Sequence, residues 1–303
     1  TEAHVKDLFR DGYQITGLKL ERPDGSSETV GCDALILACN GYGGNPEMVL
    51  RYIPEMADAM YFGHPGNQGD AVNWGIELGA GTRDLGSFQG HGSVAHPHGI
   101  LITWVLLTEG GILVNANGRR FTNEHEGYSE QAKRVLAQVD GLAWDIYDHR
   151  LHLLGLGFEE YREANKLGAV KSASTIEGLA DFLGLPANEL TATVNECTEL
   201  SKGKIADPFK RNFTTKPNLT PPYYGIQVTG SLFHTQGGLI VNEHAYVLQK
   251  DGAPFPNLFA SGGAAAGISG PADWGYLSGN GLLSAISLGR IAGLASTDLV
   301  HKN

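Results

Sequence analysis

The stretch Asp33-Ala34-Leu35-Ile36-Leu37-Ala38-Cys39-Asn40-Gly41 decides the fold class. Its apolar residues follow one another without alternation, so both faces must be covered. A strand of an antiparallel sheet with one wet face alternates polar and apolar residues; an unbroken run suits a buried parallel strand. Ligands of parallel sheets gather beyond the carboxyl ends of the strands, which here means Asn40-Gly41 and the Gly43-Gly44 pair. A second run of the same kind, Asn257-Leu258-Phe259-Ala260-Ser261-Gly262-Gly263, also ends in glycines.

Working outward, residues 4–20 read as a hairpin turning at Asp11-Gly12, and Pro23-Asp24-Gly25 marks a second turn feeding Thr29-Val30. From Asn45 the pattern changes. Helices are expected over Pro46–Tyr52 and Asp70–Leu78, the second capped by Asp70. Residues 130–200 read as mostly helical, including Thr175–Leu183 behind a Ser174 cap and Ala187–Leu200. Pro217–Tyr224 reads as a linker, followed by short strands at Gly225–Val228 and Leu239–Val241. A final helix is expected from about Leu282 to Leu299, with glycines at its start leaving N–H groups for an electron-rich ligand. The expected order is a piece of sheet, a long insertion, then more of the sheet. No internal repeat is evident.

The chain of 303 residues is long enough for two domains and a large core. Its 42 glycines are about twice the usual share and occur as scattered pairs, which suits close backbone approach to a ligand. A formal charge of −11 with no basic run makes nucleic acid and anionic membranes poor partners. The longest apolar run, Ile100–Leu107, is too short to span a bilayer, so no membrane span is expected. Cys32, Cys39 and Cys197 lack metal or disulfide spacing and read as reduced thiols of a cytoplasmic protein. No signal peptide is expected from this stretch. The start at Thr1, in what reads as the middle of a strand, suggests a fragment or a processed product.

Thr108–Glu124, TEGGILVNANGRRFTNE, reads as a second hairpin, turning at Asn117-Gly118, both of which tolerate positive φ. On local pattern alone Arg119 and Arg120 are solvated turn residues. Seven segments change that reading: DALILACNGYGGN (33–45), HPGNQGDAV (64–72), TEGG (108–111), NGRRFTNE (117–124), HTQGGL (234–239), NLFASGG (257–263) and GYLSGNGLLSAISLGRIAG (275–293). In this order they resemble the flavoprotein subunit of fumarate reductase and succinate dehydrogenase, in the group that also holds ketosteroid dehydrogenases.

The resemblance implies a mixed α/β and α+β fold. An FAD-binding domain of the glutathione-reductase type, residues 1–44 and 223–303, would be interrupted by an inserted α+β cap, residues 45–222, with the active site between the two. The glycine-rich dinucleotide fingerprint that opens such proteins does not occur before Ala38. The chain therefore looks like the later part of a longer flavoenzyme whose N-terminal βαβ segment would be its partner, beside an electron-transfer protein.

The implied chemistry is hydride transfer between flavin N5 and a small molecule with an activated C–C bond, beside a carbonyl or carboxylate. NGRRFTNE places Arg120 at the proton-donating arginine, although a guanidinium with a pKa above about 12 is an unusual acid and a carboxylate clamp is the simpler role. His234 and His91 match histidines that contact substrate oxygens. Thr108 and Glu109 match a substrate-facing pair and a proton relay, which Gly110-Gly111 then interrupts. Tyr276 stands where dicarboxylate enzymes carry a clamping arginine, which favours an enone, a ketone or a monocarboxylate over fumarate. On the flavin side the resemblance points to Gly41, Gly262, Gly263, Gly279, Asn280, Gly281 and Leu282, Gly263 replacing a glutamate that meets the ribityl chain. No metal is implied. Two other readings stay open: a ligand-binding fragment without catalysis, and a metal hydrolase built on His91, His96 and His98.

Overall fold

A computed structural model describes residues 2–301. The chain divides into two compact units. The first comprises residues up to Ala57, Tyr61–Gln89 and everything from Phe233 onward; the second comprises Asp58–Met60 and Gly90–Leu232. The chain thus changes units at 57/58, 60/61, 89/90 and 232/233, whereas the sequence reading places its boundaries at 44/45 and 222/223. The physical reason is burial: Ala71, Leu78 and Ala80, beyond the expected boundary, share a core with Leu37, Leu258 and Ala260 of the first unit.

In the first unit, Leu35–Leu37 pairs in parallel with Pro254–Ala260, in register Leu258 to Leu35 and Ala260 to Leu37, and Tyr246–Leu248 adds an antiparallel edge. Both faces of this small sheet are covered, as its unbroken apolar runs require. Leu37, Leu258 and Ala260 face the core with Ala71 and Val247. On the other face Phe259 and Ile36 pack against Leu288, Ile291 and Ala292 of the last helix, Asn280–Val300. An antiparallel meander of His4–Asp11, Gln14–Glu21 and Ser27–Gly31 realises the expected hairpin and second turn.

The last helix is the one helix among the described residues long and apolar enough to cross a membrane, by length and composition. Sequence inspection passes over it because Gly, Ser and Thr interrupt its apolar residues. Its outward side exposes Leu282, Leu283, Ile286 and Leu294.

The second unit is built on a sheet whose main path runs Ile100–Leu101, Phe88–Ala95, Tyr223–Thr235, Leu142–Asp148, Ile112–Val114. Leu142–Asp148 lies inside the stretch expected to be helical. Its residues alternate between two apolar layers: Ala143 and Tyr147 meet Leu106, Val135, Leu151 and Tyr161, while Trp144 and Ile146 meet Leu179, Leu190 and Val194. With helices on both sides, a strand needs apolar residues on both faces, and the period-2 signal vanishes.

Local signals differ in detail. Thr175, rather than Ser174, caps the helix Ile176–Leu183 by accepting from Gly178 N–H. Gly69, at φ 85°, opens the helix Asp70–Leu78, so Asp70 stands in the first turn and not at the cap. The 112–121 hairpin closes through Asn115 N–H to Arg119 O and Gly118 N–H to Asn115 O, and only Gly118 takes positive φ. This is a turn over Ala116-Asn117 followed by a left-handed glycine, one residue out of phase with the expected Asn-Gly turn. Thr175→Ala should destabilise the protein by about 1 kcal/mol in urea unfolding, and Ser174→Ala should have no measurable effect.

Candidate active site

Within the first unit, a cavity of about 660 Å³ is lined by Asn40, Gln89, His234, Gln236 and the backbones of Gly263 and Gly281, among others. This volume suits a cofactor-sized planar group. Its glycines are sterically required: a Cβ on Gly281 would lie 2.7 Å from His234 Cε1, and one on Gly263 would lie 2.1 Å from Asn40 Oδ1. Gly262, at φ 59°, also lines it.

The first turn of the last helix contributes Gly281 and Leu282 to the wall. Gly279 is the cap residue, at φ 85°, and supplies no side-chain hydrogen bond. An uncapped N-terminus of a 21-residue helix presents backbone N–H groups and the positive end of the helix dipole. Asn280 turns inward instead, accepting from Gln236 Nε2 at 3.1 Å and donating to Ser269 Oγ. Of the expected cofactor residues, Gly262, Gly263, Gly281 and Leu282 line the cavity. Gly41 and Gly279 neighbour it in sequence, and Asn280 braces it.

His234 is half-buried, with Gln236 Nε2 within 3.4 Å of both ring nitrogens and the Tyr276 ring edge-on at 6.4 Å. Burial lowers its pKa, more than the Thr235 carbonyl raises it, so the imidazole is neutral at pH 7. His234 and Tyr276 are thus neighbours in the first unit.

Arg120, in the second unit, has surroundings unlike those of a proton donor. Its side chain is 5% exposed. Nε and Nη2 donate to Glu124 at 2.7 and 2.8 Å, Nη1 donates to Asp207 at 2.7 Å, and the guanidinium lies over the Phe213 ring at 4.5 Å. Burial acts to lower its pKa, but the bonds and charges of Glu124 and Asp207 more than offset this and hold it above the ordinary arginine value. Glu124, wholly buried, also pairs with Arg211 at 3.1 Å and accepts from Leu113 N–H at 3.1 Å. Burial raises its pKa, yet the two arginines hold it below the ordinary value. The geometry is that of a buried ion-pair cluster pinning the hairpin to the segment around residue 207.

Thr108 and Glu109 end the short helix Val105–Thr108. The Thr108 hydroxyl donates back to Val105 O at 3.3 Å, so it is spent on its own helix. Glu109 pairs with Lys216 at 2.8 Å, and its carbonyl accepts from Arg150 at 3.0 Å. Lys216, the ion-pair partner of Glu109, lies 107 residues away in sequence.

His91 is buried against Tyr128, stacked at 5.0 Å, and edge-on to Trp104 at 5.7 Å. Its pKa is pressed down to about 3 by burial. His96 and His98 flank a different recess with Trp144 and Lys171, and among the described residues no group of three His, Cys, Asp or Glu could hold a metal ion. The hydrolase alternative has no ligand set here.

Several partners escape sequence reading. Asp207, Lys216 and Arg211 lie outside every recognised motif. Asn40 and Gln236 lie inside quoted motifs, where polar residues beside paired glycines were the available signal.

Residues 1–282 match the family described as FAD binding domain. The chain is 29% identical over 289 residues to the probable fumarate reductase Ifc3 of Shewanella frigidimarina, covering 95% of this chain and 48% of that protein. It is 28% identical over 304 residues to a 3-oxosteroid 1-dehydrogenase of Mycobacterium tuberculosis, covering 88% and 53%. Among solved structures, the open conformation of a flavocytochrome c3 fumarate reductase superposes with a TM-score of 0.78 at 27% identity, over 98% of this chain and 52% of that one. The chain therefore spans about half the length of these relatives. With a match over nearly its whole length, the chain belongs to the FAD binding domain family.

Proposed function

We propose that this chain is part of an FAD-dependent oxidoreductase that adds or removes hydrogen across a C–C bond beside a carbonyl, with the first unit holding the flavin and contributing His234 and Tyr276 to the substrate side. The observation that carries the reading is the glycine-walled cavity at the uncapped start of the last helix, in a chain of the FAD binding domain family. When bound, FAD supplies hydride exchange at its N5. The N–H groups of Gly281 and Leu282 would hold the electron-rich edge of the ring, and the closely approaching backbones of Gly262 and Gly263 would leave room for its plane.

On the substrate side, neutral His234 and the Tyr276 hydroxyl are donors suited to a carbonyl oxygen, where a carboxylate would call for a fixed cation. The Glu109–Lys216 pair, about one-third exposed, would stand on the solvent side of a path to the substrate. Arg120 acts by holding the hairpin in place. The three unpaired cysteines suit a reducing compartment such as the cytoplasm.

The test is anaerobic mixing of the FAD-loaded chain with a saturated cyclic ketone or with succinate. The ketone is expected to bleach the visible flavin band and succinate to leave it unchanged. Bleaching by succinate, or by neither compound, would overturn the reading.

A further inference from the structure

Alternate residues of a strand project to the same side, so His91, Ser93 and Ala95 of Phe88–Ala95 share one face. Two contacts link that face to the middle of the sheet. Ser93 N–H donates to His91 Nδ1 at 3.1 Å, and Ser93 Oγ–H donates to Asp145 Oδ2 at 2.5 Å. Asp145 is 0% exposed, and its Oδ1 has no hydrogen-bond partner among the described residues. Nothing in the apolar layer around it, which includes Ala143, Tyr147, Ile226 and Val228, calls for a carboxyl group. A buried polar group bonded only to Ser93 is there for what it does to Ser93.

We infer that Asp145 is a positioning residue for His91: by anchoring the Ser93 side chain it keeps the Ser93 N–H on His91 Nδ1, and so fixes the imidazole as the tautomer protonated at Nε2. A nitrogen that accepts a hydrogen bond carries no proton, so in the neutral ring the proton resides on the other nitrogen. His91 Nε2 is then a donor only. A proton on Nε2 denies that nitrogen the role of base. Stacking on Tyr128 and edge contact with Trp104 hold the ring plane, while the Ser93–Asp145 link sets which nitrogen bears the proton. The purpose of such a donor rests on the carbonyl-directed function proposed above; its existence does not.

The test is a long-range ¹H–¹⁵N spectrum of histidine-labelled protein at pH 7, with His91 assigned by the signals lost in His91→Gln. The parent protein is expected to show the Nε2–H pattern alone. Asp145→Asn keeps an oxygen acceptor for Ser93 and should retain that pattern. Asp145→Ala and Ser93→Ala should lose it, the two nitrogen shifts moving toward a tautomeric average. Ser93→Ala keeps the backbone N–H and removes only the hydroxyl, so it carries the test should Asp145→Ala not fold. An unchanged pattern in Ser93→Ala, or its loss in Asp145→Asn, would overturn the inference. Neither flavin nor substrate enters the measurement, so failure of the redox reading leaves it interpretable, and its failure leaves flavin bleaching untouched.

Discussion

Arg120→Ala should lower the unfolding free energy by about 3–5 kcal/mol, the range for breaking a buried ion pair from one side. The loss comes less from the bonds themselves than from what remains. Glu124 and Asp207, 0% and 1% exposed, would keep their charges with only Arg211 left beside Glu124. Neutralising the more isolated partner should therefore help: Arg120→Ala with Asp207→Asn should recover about 1–2 kcal/mol relative to Arg120→Ala alone. Urea unfolding at pH 7 reads both. Were Arg120→Ala to unfold like the parent protein while abolishing turnover, Arg120 would be an accessible proton donor after all, and the cluster reading would fail.

The second large effect belongs to Asp145 and appears only as a dependence on pH. Burial raises its carboxyl pKa from 3.8 to about 7, and the negative charge of Glu124 adds to the rise while the Ser93 bond opposes it. The folded state thus holds the proton more tightly than the unfolded chain. Its contribution is harmless below about pH 4 and becomes progressively destabilising as pH climbs to 7, by roughly 4 kcal/mol in total. Asparagine cannot ionise. The stability of Asp145→Asn relative to the parent should therefore rise by roughly 4 kcal/mol between pH 4 and pH 7.5. A constant difference across that range would show that Asp145 is not buried as described.

His91 works in the opposite sense. Its pKa falls from 6.5 to about 3, so its contribution is complete above pH 6.5 and is lost as acid protonates the unfolded chain first. Between pH 4 and 6.5 the two residues offset one another in the parent protein. The Asp145→Asn profile should expose the His91 slope.

The parts of the fold legible in the sequence are those set by local chemistry. Leu35–Leu37 and Leu258–Ala260 announce a parallel sheet because a strand buried on both faces has to be apolar at every position. The last helix is legible from Gly279 onward, because only glycine takes φ 85° at its start without strain. Leu142–Asp148 is not, because its alternation of Trp144 and Ile146 against Ala143 and Tyr147 fills two cores and leaves no polar stripe.

The candidate site divides the same way. Motifs beside paired glycines point to His234, Gly263 and Gly281, since close backbone approach leaves a mark in composition. The motif that points to Arg120 also contains its partner Glu124, four residues on, but the other partner, Asp207, lies 87 residues away, and no local pattern encodes a partner at that separation. Lys216 beside Glu109 is the same case, and so is the pairing of Asp145 with Ser93.

The central claim, that the cavity at the start of the last helix takes a flavin ring, is tested most directly by titrating FAD fluorescence with the chain and with its Gly281→Val variant. A valine Cβ there would meet His234 Cε1 at 2.7 Å and fill the wall. Saturable quenching is expected with the chain and is lost in the variant, whose melting curve keeps a single transition. Quenching that persists undiminished in Gly281→Val, or none with the parent chain, would contradict that claim.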